Sequence, residues 1–321
     1  MPPYIRNNIK VILLYAKKSW RLILLNIFLN YMSEKKLIIR QLAGNFFFNV
    51  LSIFGNTSIL KYKGKRILRD YTQSAKSYTI DYFWLAGFIQ GDGSFVIRNN
   101  RVEYILYISQ HIDDIQILYK IKKFIGYGYV RIQEKEKMAH YCLQQEVGLV
   151  NTLVALDGKF IGLKLLNYLK FLSYLNLSFY KLTDDFINFK NSWLSGFIDA
   201  DGSFYASFSK NKNMKSGFQL QLRFSITQKY LDVLKKIGVL FNKKILYNKK
   251  GFYYFILTDK VNLNLLIDYI IEFPLYTKKK LSFNRWLKLY RLYEKKEHLE
   301  YTFAFIKKKV KLINTIDRWK T

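Results

Sequence analysis

Residues Trp84-Leu-Ala-Gly-Phe-Ile-Gln-Gly-Asp-Gly-Ser-Phe95 return 109 residues later as Trp193-Leu-Ser-Gly-Phe-Ile-Asp-Ala-Asp-Gly-Ser-Phe204, identical at nine of twelve positions. A lone Asp-Gly between apolar residues is ordinarily a hairpin turn. Two copies at domain spacing imply instead a duplicated unit of about 110 residues, with halves related by a pseudo-twofold axis, like a homodimer fused into one chain. Trp84, Leu85, Phe88 and Ile89 are spaced as the apolar stripe of a helix that stops at its glycine and gives way to a strand. Gly93 and Gly202 stand where helices commonly end in a left-handed residue. Gly87 and Gly91 leave a strip of bare backbone, as do Gly196 and Ala200 in the second copy, so the two helices are expected to pack against each other at the centre of the molecule.

That arrangement places Asp92 and Asp201 side by side on the last turns of two packed helices. Helix C-termini carry partial negative charge, and two neighbouring carboxylates repel, so the position is unfavourable for an acid. A divalent cation removes both objections. Asp92 and Asp201, with backbone carbonyls such as those of Gly91 and Ala200, form a hard-oxygen donor set suited to Mg²⁺, with Mn²⁺ able to substitute. The single cysteine, Cys142, excludes an intramolecular disulfide and a cysteine metal site, and His111, His140 and His298 are too scattered for a histidine one.

Over 321 residues, 53 Lys+Arg oppose 23 Asp+Glu for a net charge of +30, while half the residues are hydrophobic and 18% aromatic. So much apolar material excludes wholesale disorder, and so much charge calls for a polyanion, either nucleic acid or an anionic membrane. Ser203, Tyr205, Ser207 and Ser209 alternate with apolar residues, as do Gln219, Gln221, Arg223, Ser225 and Thr227. These read as two strands with one face in a core and one exposed, and Gln and Arg suit adenine and guanine edges in the major groove. In the first copy Arg98, Asn99, Asn100 and Arg101 look like a basic hairpin tip, and Gln133 is a further candidate contact.

The repeat extends beyond the block. Ile108-Ser-Gln110 and Ile226-Thr-Gln228 each precede an amphipathic helix, through Phe124 and Phe241; strand pairs follow at 129–144 and 245–257, and helices at 147–156 and 261–271. Each half is helix, two strands, helix, two strands, helix. The expected class is α+β, with domains at 80–176 and 192–295, a linker at 177–191 and a basic C-terminal tail at 296–321. Residues 1–79 form an N-terminal extension in which bases far outnumber acids. Gln41–Leu60 is free of charge and long enough to span a bilayer, but it carries a heavy polar load. A basic, partly ordered extension is therefore expected ahead of a membrane span or a targeting presequence, and no stable membrane insertion is expected.

The two blocks resemble the LAGLIDADG signature of homing endonucleases and their maturase relatives, read as Leu85-Ala-Gly-Phe-Ile-Gln-Gly-Asp-Gly93 and Leu194-Ser-Gly-Phe-Ile-Asp-Ala-Asp-Gly202. The resemblance covers residues 80–295. It implies two αββαββα halves joined through the signature helices, two four-stranded antiparallel sheets forming a saddle for the DNA major groove, and metal-binding catalytic roles for Asp92 and Asp201. It also implies a basic residue beside the metals in each half, matched here by Lys278 and more weakly by Lys164, and active-site-peripheral roles for Gln110 and Gln228. The earlier acidic position of the motif is Gln90 in the first copy and Asp199 in the second, which points to asymmetry. The expectation is a monomeric, intron-encoded, Mg²⁺-dependent double-strand DNA endonuclease with a long near-palindromic or asymmetric target. The main alternative is an RNA maturase that binds its intron without cutting DNA; a transcriptional regulator on the same scaffold is a third reading. Abundant Lys, Asn, Ile, Tyr and Phe with only three Pro suggest an AT-rich organellar gene, mitochondrial before chloroplast.

Overall fold

The computed structural model describes residues 60–62, 65–67, 79–98, 103–178, 186–213, 217–248, 250–296, 298, 301 and 303–314. Arg101, residues 179–185 of the expected linker, the uncharged 41–59 stretch and the last seven residues lie outside them. Residues 1–75 form a unit of their own, in which the antiparallel hairpin β1 (Leu60–Tyr62) and β2 (Lys65–Ile67) pairs Leu60 with Ile67. Residues 76–321 form the second unit.

The second unit begins with helix α1 (Tyr82–Asp92), followed by β3 (Gly93–Arg98), β4 (Glu103–His111), α2 (Ile115–Ile125), β5 (Tyr129–Gln133), β6 (Met138–Leu143) and α3 (Glu146–Leu156). The same order recurs as α5 (Trp193–Asp201), β7 (Gly202–Lys210), β8 (Phe218–Gln228), α6 (Leu231–Leu240), β9 (Leu246–Tyr247), β10 (Tyr253–Leu257) and α7 (Lys260–Glu272). Two antiparallel four-stranded sheets result, ordered β3-β4-β6-β5 and β7-β8-β10-β9. The expected pseudo-symmetric α+β architecture is the observed one.

Three helices were not anticipated. Helices α4 (Gly162–Tyr174) and α8 (Lys279–Glu294) follow the αββαββα units, and α9 (Phe303–Asn314) lies in the segment expected as a basic tail. Tyr168 and Phe171 of α4 pack on Phe95 of β3 at ring separations of 5.5 and 5.4 Å, and Phe283 and Trp286 of α8 pack on Phe204 of β7 at 5.2 and 5.7 Å. Helix α9 buries Ile306, Val310 and Ile313. Its Asn314 donates from Nδ2 to the Ala206 carbonyl (2.8 Å) and accepts the Ala206 N–H at Oδ1 (3.2 Å), satisfying backbone groups on edge strand β7. Within the expected linker, Phe186 and Ile187 are buried. Among the described residues no helix is long and apolar enough to cross a membrane.

Helices α1 and α5 sit at the centre. Trp84 to Ile89 are all buried, as are Trp193 to Ala200, so both helices are enclosed on every side. A Cβ on Gly87 would lie 1.9 Å from the Trp193 carbonyl oxygen, and one on Gly196 would lie 1.9 Å from the Trp84 carbonyl oxygen. A Cβ on Gly91 would lie 2.4 Å from that of Ala200. The backbones thus touch over the whole length of the pair. At the N-terminal end Asp81 caps α1 by accepting the Trp84 N–H (2.8 Å), and it also accepts the Ser192 hydroxyl across the interface (2.5 Å).

The expectation of left-handed glycines at the helix ends is corrected. Gly93 (φ −91°, ψ 161°) and Gly202 (φ −70°, ψ 150°) are extended, and each strand leaves its helix directly. Glycine is needed there for space, since a Cβ on Gly93 would meet Ile89 Cγ2 at 2.6 Å and one on Gly202 would meet Ile198 Cγ2 at 2.7 Å.

Because Gly87 faces rigid backbone, Gly87→Ala forces the helices apart. The expected loss is ~3 kcal/mol, at the upper end of ordinary overpacking, read as a fall in melting temperature of roughly 6–12 °C. A thermal unfolding curve superimposing on that of the parent protein would refute the close approach.

Candidate active site

The packed helices end together, so Asp92 and Asp201 emerge half-buried at one end of the molecule, with the Asp201 carboxylate over Gly91, where a Cβ would be 2.6 Å from Oδ2. Each acid is held by a glutamine at or near the end of the second strand of its own half. Gln110 donates from Nε2 to Asp92 Oδ2 at 2.6 Å, and Gln228 donates from Nε2 to Asp201 Oδ2 at 2.8 Å.

Two lysines approach the same region. Lys164, in the first turn of α4, donates from Nζ to the Gly93 carbonyl. Burial pulls its ammonium below the usual lysine range, opposed by Asp92 and then Asp201. In the second half this place is taken by Lys279, which donates from Nζ to the carbonyls of Ala200 (2.6 Å) and Ile198 (3.3 Å). Lys278, the residue singled out by sequence, turns instead to Asp113, with Nζ 3.0 Å from Oδ2.

Lys279 follows from a pattern that the run Lys278-Lys279-Lys280 obscures. Lys164 precedes Tyr168 and Phe171, and Lys279 precedes Phe283 and Trp286, at identical spacings. These aromatics seat α4 and α8 on β3 and β7, and the seating fixes which lysine turns to the ends of the central helices.

The asymmetric motif position also has a visible use. Asp199 is buried and accepts four hydrogen bonds: from Trp84 Nε1 (3.0 Å), Tyr276 N (2.8 Å), Thr277 N (3.1 Å) and Thr277 Oγ1 (2.6 Å). Burial pushes its carboxyl up, against the pull of those bonds. Gln90 does the equivalent with an amide, accepting the Ile161 N–H (3.1 Å) and donating to the Ile161 carbonyl (3.2 Å). Both side chains anchor the segment three residues ahead of the inward-facing lysine.

The sheet faces differ. On β7–β8 the alternation is as expected: Ser203, Tyr205, Ser207 and Ser209 pair with Ser225, Arg223, Gln221 and Gln219 on the uncovered face. The Arg223 guanidinium lies 4.7 Å from the Tyr205 ring centroid, and its Nε is buried without a hydrogen-bond partner. Ser207 Oγ donates to Gln221 Oε1 at 3.4 Å. On the first sheet Arg98 pairs with Glu103 at 3.5 Å, and Gln133 is engaged through Oε1 with His140 Nε2. His140 also contacts Ser109 Oγ (3.0 Å) and stacks on Tyr107, and burial pulls its imidazole below the usual range. Arg131, exposed in register with His140, was not singled out by sequence.

The donor set suits a hard divalent cation: two carboxylates that both act on the Lys164 ammonium, and main-chain carbonyls at the helix ends that already attract two ammonium groups. Among the described residues no cluster of three or more His, Cys, Asp or Glu offers a rival site.

The second unit is thus two pseudo-symmetric halves joined through a pair of central helices, each of which ends in an acid. The sequence model of the LAGLIDADG endonuclease family matches residues 85–175 and 194–290, and the chain belongs to that family. It is 32% identical over 226 residues to the probable intron-encoded endonuclease 4 of Neurospora crassa, covering 67% of this chain and 41% of that protein. To the intron-encoded RNA maturase bI4 of Saccharomyces cerevisiae it is 30% identical over 217 residues, 66% of this chain and 32% of that protein. The chain thus spans less than half the length of either relative. Among solved structures, I-SmaMI bound to an uncleaved DNA target in the presence of calcium ions superposes with a TM-score of 0.59 at 19% identity, over 75% of this chain and 99% of that one.

Asp199→Asn replaces one acceptor oxygen with an amide N–H₂ among backbone and indole N–H donors, with the Thr277 hydroxyl the one of these groups able to accept. The substitution is expected to cost about 1–3 kcal/mol for the backbone donor left unpaired, measured by denaturant unfolding. Equal stability of Asp199→Asn and the parent would show that the four bonds are not made in solution.

Proposed function

We propose that this protein is a site-specific double-strand DNA endonuclease, encoded within a mitochondrial intron and acting as a monomer in intron mobility. The observation that carries the reading is the intact, duplicated acid pair: Asp92 with Gln110, Asp201 with Gln228, and a lysine at each helix end. A protein that only bound RNA would not require both acids to be present, each held by its own glutamine. The intron-encoded relatives and the composition typical of an AT-rich gene support the mitochondrial assignment.

In this reading Asp92 and Asp201, with the carbonyls of Gly91 and Ala200, would hold Mg²⁺, which when bound would supply acidification of a water and charge stabilisation at phosphorus. Gln110 and Gln228 fix the rotamer of each carboxylate and so hold it in place for the phosphate. Lys164 Nζ and Lys279 Nζ, drawn from their carbonyls toward the anionic substrate, neutralise charge on the phosphate oxygens and donate hydrogen bonds there. Attack by water breaks the bond from phosphorus to the 3′ oxygen and leaves 3′-hydroxyl and 5′-phosphate ends.

The β7–β8 face supplies base contacts from Ser203, Tyr205, Ser207, Gln219, Gln221 and Arg223, whereas the first sheet has internal partners for Arg98 and Gln133. Unequal faces imply an asymmetric target. The yeast maturase relative supports a second reading, intron RNA binding, on the same basic surface.

The deciding experiment incubates purified protein with host-gene DNA lacking the intron, in Mg²⁺ and then in EDTA. Metal-dependent cutting at one site near the insertion point is expected, abolished by Asp92→Asn and by Asp201→Asn with DNA binding retained. Tight binding to intron RNA without cutting would establish the maturase instead. For readout, Arg223→Ala is expected to cost ~1–3 kcal/mol at one base pair and relax preference there; a loss equal on all sequences would make Arg223 a phosphate contact.

A further inference from the structure

Helix α8 starts against elementary electrostatics. Its N-terminus carries Lys278, Lys279 and Lys280, it has no acid in the first turn, and its N-cap residue, Lys278, makes no side-chain cap bond; Thr277 Oγ1 accepts the Lys279 N–H at 3.2 Å, which brings no negative charge to the helix start. The missing acids come from the other half of the molecule. Asp114 Oδ1 accepts the Lys278 N–H at 2.8 Å, and Asp113 Oδ2 lies 3.0 Å from Lys278 Nζ. Both acids sit in the single 3₁₀ turn Ile112–Asp114, which follows directly on β4, the strand whose Gln110 holds Asp92. A continuous series of bonded groups therefore runs from Asp92 in one half to Lys279 and the Ala200 carbonyl in the other.

The reverse connection is present in a reduced form. Asp232 stands four residues beyond Gln228, as Asp114 stands four beyond Gln110. Its carboxylate lies against Gly162, two residues ahead of Lys164, where a Cβ would come within 2.5 Å of Oδ2. Thr277, the residue at the matching place in the second half, carries a side chain and is held by Asp199 instead.

We propose that Asp113 and Asp114 are positioning residues that cap α8 from the opposite half and thereby hold Lys279 beside the end of α5. The proposal rests on the endonuclease reading for its consequence in catalysis, but its geometric content concerns the protein alone. Without the cap, the segment keeps its Asp199 anchor at Tyr276 and Thr277 and the Thr277 bond to the Lys279 N–H, but loses the bonds to Lys278, the residue before Lys279. A misplacement of about 1 Å is enough to slow a chemical step by about 100-fold. The loss falls on the centre that Lys279 serves and spares the one served by Lys164, so the two DNA strands are affected unequally.

The test uses the full chain, with Asp114→Ala and the conservative Asp114→Asn, which keeps an acceptor at Oδ1. Labelling with an amine-reactive ester, read by mass spectrometry on the free protein, is expected to modify Lys279 several-fold faster in Asp114→Ala, with Lys164 unchanged and Asp114→Asn close to the parent. On supercoiled plasmid bearing the target, Asp114→Ala is expected to accumulate nicked circles with one strand cut at the parental rate, as Lys279→Met does. Unchanged labelling of Lys279, or an equal rise at both lysines, would overturn the proposal, as would equal slowing of both strands. A parent protein that cuts no DNA would refute the endonuclease reading, and the labelling would still decide the clasp.

Discussion

Everything in the second unit of this chain depends on two helices approaching until their backbones meet. The carbonyl of Trp193 occupies the space where a side chain on Gly87 would be, and the carbonyl of Trp84 does the same at Gly196. That approach sets the separation of Asp92 and Asp201, since both are on the last turns of the helices in question. It also decides where the sheets begin, because β3 and β7 leave the helices at once through extended glycines. A looser pairing would leave two acids too far apart to share a substrate, and two sheets without a common orientation. Interior close packing is what converts a repeated twelve-residue block into a site.

The pseudo-symmetry is strict in the backbone and relaxed in the side chains. Gln90 and Asp199 perform the same anchoring with different chemistry, an amide matched to a donor and an acceptor in one half, a buried carboxylate matched to four donors in the other. Trp84 and Trp193 each bury an indole and each find an acceptor for Nε1, but one uses Asp199 and the other the Lys159 carbonyl. On the sheet faces the halves part company. One presents Arg223 on Tyr205 with glutamines alongside, the other a self-contained set of Tyr107, Ser109, Gln133 and His140.

Much of this was legible in the sequence because it rests on short-range regularities. The alternation along β7 and β8 predicted the buried and uncovered faces residue by residue, and the small residues of the blocks located the central interface. Gln110 and Gln228 stand where the repeat placed them. What escaped were features set by tertiary contact. Lys279 was passed over for Lys278 because three consecutive lysines look alike until the aromatic seating of α8 fixes their phase. The glycines at the helix ends were read as a conformational requirement when the actual one is space beneath Ile89 and Ile198. The partners that Arg98 and Gln133 find in Glu103 and His140 were likewise not legible, since no pattern in the chain announces them.

The last described helix gives the edge of the second sheet an unusual finish. Strand β7 has a neighbour on one side only, and open N–H and C=O groups on such an edge invite pairing with another chain. Here one amide side chain, Asn314, meets both the N–H and the C=O of Ala206, standing in for a fifth strand at that point. The sheet is therefore closed by the chain's own far end, more than a hundred residues downstream. In engineering terms the second half extends at least to this asparagine, and the helix that carries it is a structural rim.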